Sequence, residues 1–356
     1  MPINLHKPAD AEIEISLFGP GTGECVVAHL GRNEWMIVDS CTATGQKEPA
    51  ALEYLKLLNV PFEQVKVVVV THFHDDHIRG ICEVVKVCTD AEVFVSGALT
   101  RDESVGFALA HALGDVLSDR LKPSTHEIVN LIRQLKESGR TCIKVTDSTV
   151  VYRSGTTVVH ALSPSPAAVN QSTLDFASEL TGVTKAFRKL ANRLNPNLCA
   201  IALHVCNGTD TVLLGSDLEI SGNDLLGWEA VLKSKRKPTS VAQVFKVPHH
   251  GSNNGHHDDV VSSMLIEKPI SIITTMNTHS LPRVTDLERI KGYSREVYHT
   301  TEPLVRPPKR DRAVEEMFAV VAKKRRVIPD VIGQIQVRML HGVQSIALND
   351  HASRAA

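Results

Sequence analysis

Five of the six residues from Val65 to Val70 are valine. A run this apolar and this short reads as a strand covered on both faces, the environment of a parallel sheet inside a layered α/β fold. The strand ends directly in Thr71-His72-Phe73-His74-Asp75-Asp76-His77. A loop at the C-terminal end of a buried strand can turn His72, His74, Asp76 and His77 into one pocket. Imidazole suits zinc and related transition metals, and a carboxylate adds charge and can bridge two ions. The H-x-H-x-D-H spacing is therefore a candidate metal site, in a chain with an unusual 17 histidines.

The rest of the chain supplies such a fold. Ile13, Ile15 and Leu17 alternate with polar residues, which predicts a half-buried strand. Further strands are expected at 26–30, 35–38, 92–96, 142–146, 149–152, 157–162, 199–205, 211–214, 243–247, 270–275, 296–300 and 332–338, the last finishing the fold. Helices are expected at 48–58, where Leu52, Leu55 and Leu58 share a face, and at 102–119, 124–138, 170–192, 223–233, 258–267, 284–291 and 311–325. With no internal repeat and no linker rich in Pro, Gly or Ser, residues 1–356 read as one domain.

Composition removes several function classes. Apolar residues make up 42% of 356, so a sizeable core can form. Lys and Arg number 39 against 40 Asp and Glu, which excludes partner choice by overall basicity. Aromatics at 4% argue against a stacking platform for single-stranded nucleic acid. No apolar run reaches the roughly 18 residues of a membrane span, and the first residues lack the pattern of a secretory leader. Seven cysteines without a C-x-x-C pair fit reduced thiols. Together these predict a cytoplasmic chain without a membrane partner; its oligomeric state stays open.

Three other strand ends carry ligand-type residues: Asp39 after 35–38, Asp217 after 211–214, and His249-His250 after 244–247. Gly19-Pro20-Gly21-Thr22-Gly23 reads as a tight turn; it lacks the Gly-Lys-Ser/Thr of a phosphate cradle. His256 and His257 read as exposed loop residues, and His160 and His204 as satisfied strand histidines. A basic stretch, Lys309-Arg310-Asp311-Arg312 and Lys323-Lys324-Arg325-Arg326, reads first as a solvated helix end and second as a contact for nucleic-acid phosphates.

These segments resemble the metallo-β-lactamase-fold hydrolases, and more narrowly the soluble hydrolase domain of ComEC-type DNA-uptake proteins. The likeness is carried by Gly19–Val27, Val38-Asp39-Ser40, His72–Gly80, Leu213–Asp217, Lys246–Ser252 (KVPHHGS), Thr301 and Gly333–Val337. It implies an αββα sandwich with helical insertions at 99–140, 166–194 and 303–331, and one or two divalent ions, zinc first and manganese second. His72 and His74 match ligands of one ion, Asp76 and His77 ligands of the other, and Asp217 the bridging carboxylate. His250 matches the group completing the second site, which leaves His249 as a neighbouring acid or phosphate contact. Asp39 resembles a carboxylate that orients a ligand histidine. Asn195 stands where the superfamily commonly has a histidine ligand, and Arg79, Gly255 and His279 depart from the subgroup pattern near the substrate side, where Ser252 also lies.

The function implied is a metal-dependent hydrolase, a phosphodiesterase or a nuclease acting on nucleic acid, with Asp76, Asp217 and His249 at the reacting centre. Two other readings share the same residues. One is hydrolysis of a small ester, thioester or lactone. The other is a metal-stabilised binding or regulatory protein without turnover.

Overall fold

A computed structural model of the chain describes residues 1–43, 46–99, 123–180, 195–303, 317 and 331–355. Two eight-stranded sheets face each other. The first contains β1 (Ile13–Gly19), β2 (Cys25–His29), β3 (Trp35–Val38), β4 (Val65–Val70), β5 (Glu92–Ser96), β6 (Cys142–Val145), β14 (Gly333–Leu340) and β15 (Val343–Leu348), in the order β15-β14-β1-β2-β3-β4-β5-β6. The second contains β7 (Val150–Ser154), β8 (Thr157–Ala161), β9 (Leu203–Cys206), β10 (Thr211–Leu214), β11 (Ala242–Lys246), β12 (Leu265–Ile273), β13 (Glu296–His299) and β16 (Ser353–Arg354), in the order β16-β13-β12-β11-β10-β9-β8-β7. Strands β3 to β6 pair in parallel, as do β10 to β13.

Side-chain alternation along each strand builds the layers. In β4, Val67 and Val69 join Ile15, Met36, Leu203, Val212 and Ile272 in the core between the sheets. Val68 and Val70 point the other way, onto α1 (Ala50–Leu57), α3 (Ile81–Val87) and α4 (Pro123–Glu137), through Leu52, Leu55, Val84, Ile128 and Leu131. On the far side, Leu213, Phe245 and Ile273 pack under α6 (Gly227–Lys233), α7 (Asp258–Met264) and α8 (Val284–Tyr293) through Trp228, Val231, Val260 and Ile290. Helix, sheet, sheet and helix thus form the expected αββα order. A valine run is the right material for β4 because both of its faces are dry.

Several expected elements take different bounds. The run 199–205 begins as a 3-10 turn, Pro196–Cys199, with the Asn195 side chain accepting from Asn197 N, and the strand starts only at Leu203. The helix expected to reach 267 ends at Met264, and β12 begins at once. A register shift against β11, with Lys268 at φ 58°, lets Pro269 stand within that strand. The chain does not finish at 338: a two-residue turn, His341-Gly342 at φ 51° and 83°, returns it as β15. The segment 166–194 is helical over Pro166–Leu180. The expected helices at 102–119 and 311–325, the basic stretch and most of the 303–331 insertion lie outside the described residues.

The fold places every motif at one end. The loops after β3, β4, β10 and β11 all leave the C-terminal ends of parallel strands, where open α/β sheets gather their ligands. That end is closed on one side by contact between the sheets. Gly19 and Gly333 face each other across β1 and β14, and both press on Thr300 just beyond β13. A Cβ on Gly333 would fall on the Thr300 carbonyl.

Gly333→Ala should therefore lower unfolding stability by about 1–3 kcal/mol or more, the ordinary cost of overpacking. Gly292, in α8 with open space around it, serves as the control. Gly292→Ala should be neutral or stabilise by roughly 0.5–1 kcal/mol. Urea denaturation of the two variants beside the parent checks the contrast.

Candidate metal centre

Asp39 anchors the site. It ends β3 with a left-handed backbone (φ 60°) and is buried. Its Oδ1 accepts from Thr71 N at 2.8 Å. Its Oδ2 accepts from Thr71 Oγ1 at 2.7 Å and lies 2.7 Å from His77 Nδ1, which donates to it. Because the Thr71 hydroxyl hydrogen goes to Asp39, its oxygen is left to accept from His72 Nδ1 at 3.1 Å. One carboxylate thus fixes two imidazoles, His77 directly and His72 through Thr71, and turns both Nε2 atoms inward.

Asp76 and His77 lie on the single turn α2 (Asp75–Ile78). Gly23 lets the chain after β1 come against this turn: a Cβ there would sit 2.8 Å from the Asp76 carbonyl, which accepts from Glu24 N at 2.9 Å. From the second sheet come Asp217, preceded by left-handed Ser216 (φ 45°), and His250. His249, His250 and Gly251 are left-handed in succession, at φ 48°, 53° and 82°. For the two histidines this is strained backbone of the kind that concentrates at functional sites.

His77, Asp76, Asp217 and His250 converge. His77 Nε2 lies 3.4 Å from Asp217 Oδ2 and 3.6 Å from Asp76 Oδ2. His250 Nε2 lies 3.5 Å and 3.4 Å from the same two oxygens, while its Nδ1 donates to the Thr274 carbonyl at 3.0 Å. Donor atoms of Glu24, His77, Asp217 and His250, all buried, lie within 4.8 Å of one another. His72 and His74 form an adjoining lobe, with His72 Nε2 3.0 Å from His74 Nδ1 and the His72 and His77 rings 4.3 Å apart.

The donor set fits a divalent ion. His77 Nε2, His250 Nε2 and Asp217 Oδ1 are buried with no hydrogen-bond partner among the described residues. Orphaned buried atoms are costly, and a shared cation is what would satisfy them together. The electrostatics show a site that draws positive charge, carried without an ion by protons on two imidazoles that a divalent ion would displace. Burial opposes charge on His77 and His250, but the Asp217 and Asp76 carboxylates overcome it, raising His77 and pushing His250 up to about 10. Burial likewise opposes ionisation of Asp76 and Asp217, yet the two imidazoles hold both below the usual carboxylate range. His72 and His74 are lowered by burial and by neighbouring histidines, so they stay neutral, the form that binds metal.

His249 faces a different partner. Its Nδ1 lies 2.8 Å from Asn254 Oδ1 and 3.0 Å from Glu219 Oε1, and Asn197 Nδ2 is 3.3 Å from its Nε2. Against burial, the Glu219 contact raises the His249 pKa. Asn195, at the position of an expected ligand, uses its amide otherwise: Oδ1 accepts from Asn197 N and Nδ2 donates to Glu219 Oε2 at 2.6 Å. Ser252 is buried in the turn, its N donating to the His249 carbonyl at 2.9 Å. His279 is exposed in the turn between Met276 and Leu281, with no recorded contact to the carboxylates above.

Sequence reading did not single out Glu24, Thr71, Glu219, Asn197, Asn254 or Lys246. Lys246 is fully buried, 2.5 Å from Glu24 Oε1, and donates to the Ser216 carbonyl at 2.9 Å. An acid opening the apolar run Cys25–His29 and a lone cation in Val244–Val247 were the available signals. Elsewhere, His204 Nε2 donates to the Ser240 carbonyl at 2.9 Å, but the buried Nδ1 atoms of His204 and His160 have no hydrogen-bond partner among the described residues, so neither strand histidine is fully satisfied, contrary to expectation. His256 is only partly exposed, stacked on Tyr293, and His257 caps α7.

Residues 18–99 match the family model described as Metallo-beta-lactamase superfamily. No curated protein matches the chain. Among solved structures it is similar to the metallo-β-lactamase fold protein YhfI from Bacillus subtilis, at 13% identity over 82% of this chain and 98% of that one, with a TM-score of 0.41. A metallo-β-lactamase with an HARLDQ motif from Cronobacter sakazakii aligns at 12% identity over 54% of this chain and only 52% of that one, with a TM-score of 0.30. MEM-A1, a subclass B3 metallo-β-lactamase from a soil metagenome library, aligns at 14% identity over 69% and 80%, with a TM-score of 0.35. No helix among the described residues is long and apolar enough to cross a membrane. The superfamily match at 18–99 and the two facing sheets between helical layers together give the chain the metallo-β-lactamase fold, with a candidate divalent-metal cluster at one end of it.

Proposed function

We propose that this chain is a metal-dependent hydrolase acting on phosphodiesters, with zinc or manganese as its ion. The observation that carries the hydrolase reading is the convergence of His77 Nε2, His250 Nε2 and Asp217 Oδ1, buried and unpartnered, from loops on both sheets. His72, His74, Asp76, His77, Asp217 and His250 would hold one or two ions. Bound there, a divalent ion supplies Lewis acidity and lowers the pKa of water toward ~7.

The chain's own residues do the rest. Asp39 and Thr71 keep His77 and His72 in the tautomers that present Nε2. The Thr274 carbonyl does the same for His250. Lys246 ties Glu24 to the Ser216 carbonyl and so fixes the backbone that carries Asp217. His249, about a fifth exposed at its side chain, is the polar group beside the cluster that can exchange a proton with a bound substrate. The phosphodiester preference rests on the likeness of Lys246–Ser252 to the ComEC-type domains, extending to polynucleotides if the basic stretch holds their backbone.

The deciding experiment is turnover of bis(4-nitrophenyl) phosphate beside a thioester and a lactone, after reconstitution with zinc or manganese. Phosphodiester cleavage supports the proposal. Cleavage of the others alone reassigns the substrate, and ion binding without any turnover indicates a metal-stabilised binding protein.

Asp39→Asn tests the orienting carboxylate, since Asn also tolerates a left-handed backbone. Ion affinity should fall about 10–100-fold with the fold intact, measured by competition with a chromophoric chelator. His250→Ala should lower ion content and activity together, whereas His249→Ala should lower activity with ion content largely kept. Elemental analysis beside the rate assay distinguishes them, and the reverse pattern would exchange the two roles.

A further inference from the structure

Glu219 lies two residues past Asp217 and takes part in none of the contacts that hold the ion-binding cluster. Its carboxylate is nevertheless the most heavily engaged near the site. Oε2 accepts from Asn195 Nδ2 at 2.6 Å. Oε1 accepts from Asn197 Nδ2 at 2.7 Å and Asn254 Nδ2 at 2.8 Å, and lies 3.0 Å from His249 Nδ1. Three amides, from the loop before β9 and the loop after β11, therefore fix the carboxylate before His249 meets it. Its backbone is held too, the carbonyl accepting from Trp228 N at 3.1 Å.

We propose that Glu219 is the positioning residue for His249, setting that ring with Nδ1 inward so that Nε2 is its working nitrogen toward a substrate. This rests on the hydrolase reading above. Nδ1 is fully engaged by Glu219 and by Asn254 Oδ1 at 2.8 Å. Among the described residues Nε2 has only the Asn197 amide at 3.3 Å, a long contact that a substrate oxygen could replace. The arrangement repeats on the second sheet what Asp39 does for His77 on the first, but beside the cluster rather than within it. In the reaction, the bond from phosphorus to the leaving oxygen breaks as the water oxygen bonds to phosphorus. The leaving oxygen takes one proton from Nε2, the attacking water gives one proton up to solvent, and solvent returns one to Nε2. Asn195 then supports the carboxylate that aims His249, a use for the amide distinct from ligation.

The test compares bis(4-nitrophenyl) phosphate, whose leaving group needs little protonation, with diphenyl phosphate, whose leaving group needs more. In Glu219→Gln, kcat on diphenyl phosphate should fall about 100-fold, and clearly less on the nitrophenyl ester. KM and ion content should be kept, and Glu219→Asp should recover part of the loss. His249→Ala should show the same discrimination, and the double variant should be no worse than His249→Ala. Equal losses on both substrates, a loss of ion content, or additive effects would overturn the proposal and make Glu219 a loop staple. Imidazole nitrogen NMR of the protein as isolated reads the ring without turnover. His249 should hold a proton on Nδ1 against Glu219 whether or not Nε2 carries the exchangeable one, and Glu219→Gln should change that spectrum. An unchanged spectrum overturns the positioning role even if phosphodiesters prove to be substrates. A changed spectrum in a protein that cleaves neither phosphodiester upholds it while the substrate assignment fails.

Discussion

Asp39 sits at the end of β3 with almost no exposure, and its two oxygens take hydrogen bonds from Thr71 N, Thr71 Oγ1 and His77 Nδ1. An isolated buried carboxylate would be unfavourable by several kcal/mol, and these donors are what make it tolerable. The same donors tie three levels of structure together. The backbone bond holds β3 against the end of β4, the hydroxyl bond sets His72, and the imidazole bond sets His77. The first sheet thus presents two nitrogens in fixed directions before any ion arrives. The second sheet answers with Asp217, whose neighbour Ser216 has its carbonyl held by Lys246, and with His250, whose ring is held by the Thr274 carbonyl. The candidate centre lies where the two layers meet at the same ends of their parallel strands.

The parts of this design that were legible in the sequence were local. Val65–Val70 announced a buried strand, and the histidines directly after it could share one pocket, since no intervening structure separates them. Asp39, Asp217 and His250 could be read as strand-end groups for the same reason. The Glu219 cage was not legible. Its members come from positions 195, 197, 219, 249 and 254, and only the packing of β9, β10 and β11 side by side assembles them. Asn195 looked like a substituted ligand when seen alone; its bonding partners give it a different use. Glu24 and Lys246 were hidden similarly, each unremarkable in its strand and meaningful only as a pair across the sheets.

The ends of the chain show the complementary case. In β15 (VQSIAL) Val343, Ile346 and Leu348 do not alternate strictly with polar residues, and β16 is only two residues long; backbone contacts secure both, with the His341-Gly342 turn aligning β15. Hydropathy patterning has little to detect in runs so irregular or so short. The helix that stops at Met264 illustrates a related limit: β12 contains Lys268-Pro269, a pair that argues against a strand until the bulge beside β11 accommodates it.

Asp39, Ser216, His249 and His250 share a backbone property: all four adopt positive φ at strand ends around the centre. Among residues other than glycine, this conformation is populated chiefly by asparagine, aspartate and histidine. Those are also side chains with oxygen or imidazole donors for a cation. Stereochemistry and coordination chemistry therefore admit overlapping alphabets at these positions. Drift or design can exchange imidazole, carboxylate and amide here, at the ligand position His250 and at Asp39 and His249 beside the cluster, while the main chain keeps its path. Replacing them with valine or isoleucine would strain the turn as well as remove a donor, so the centre is easier to re-specify than to erase.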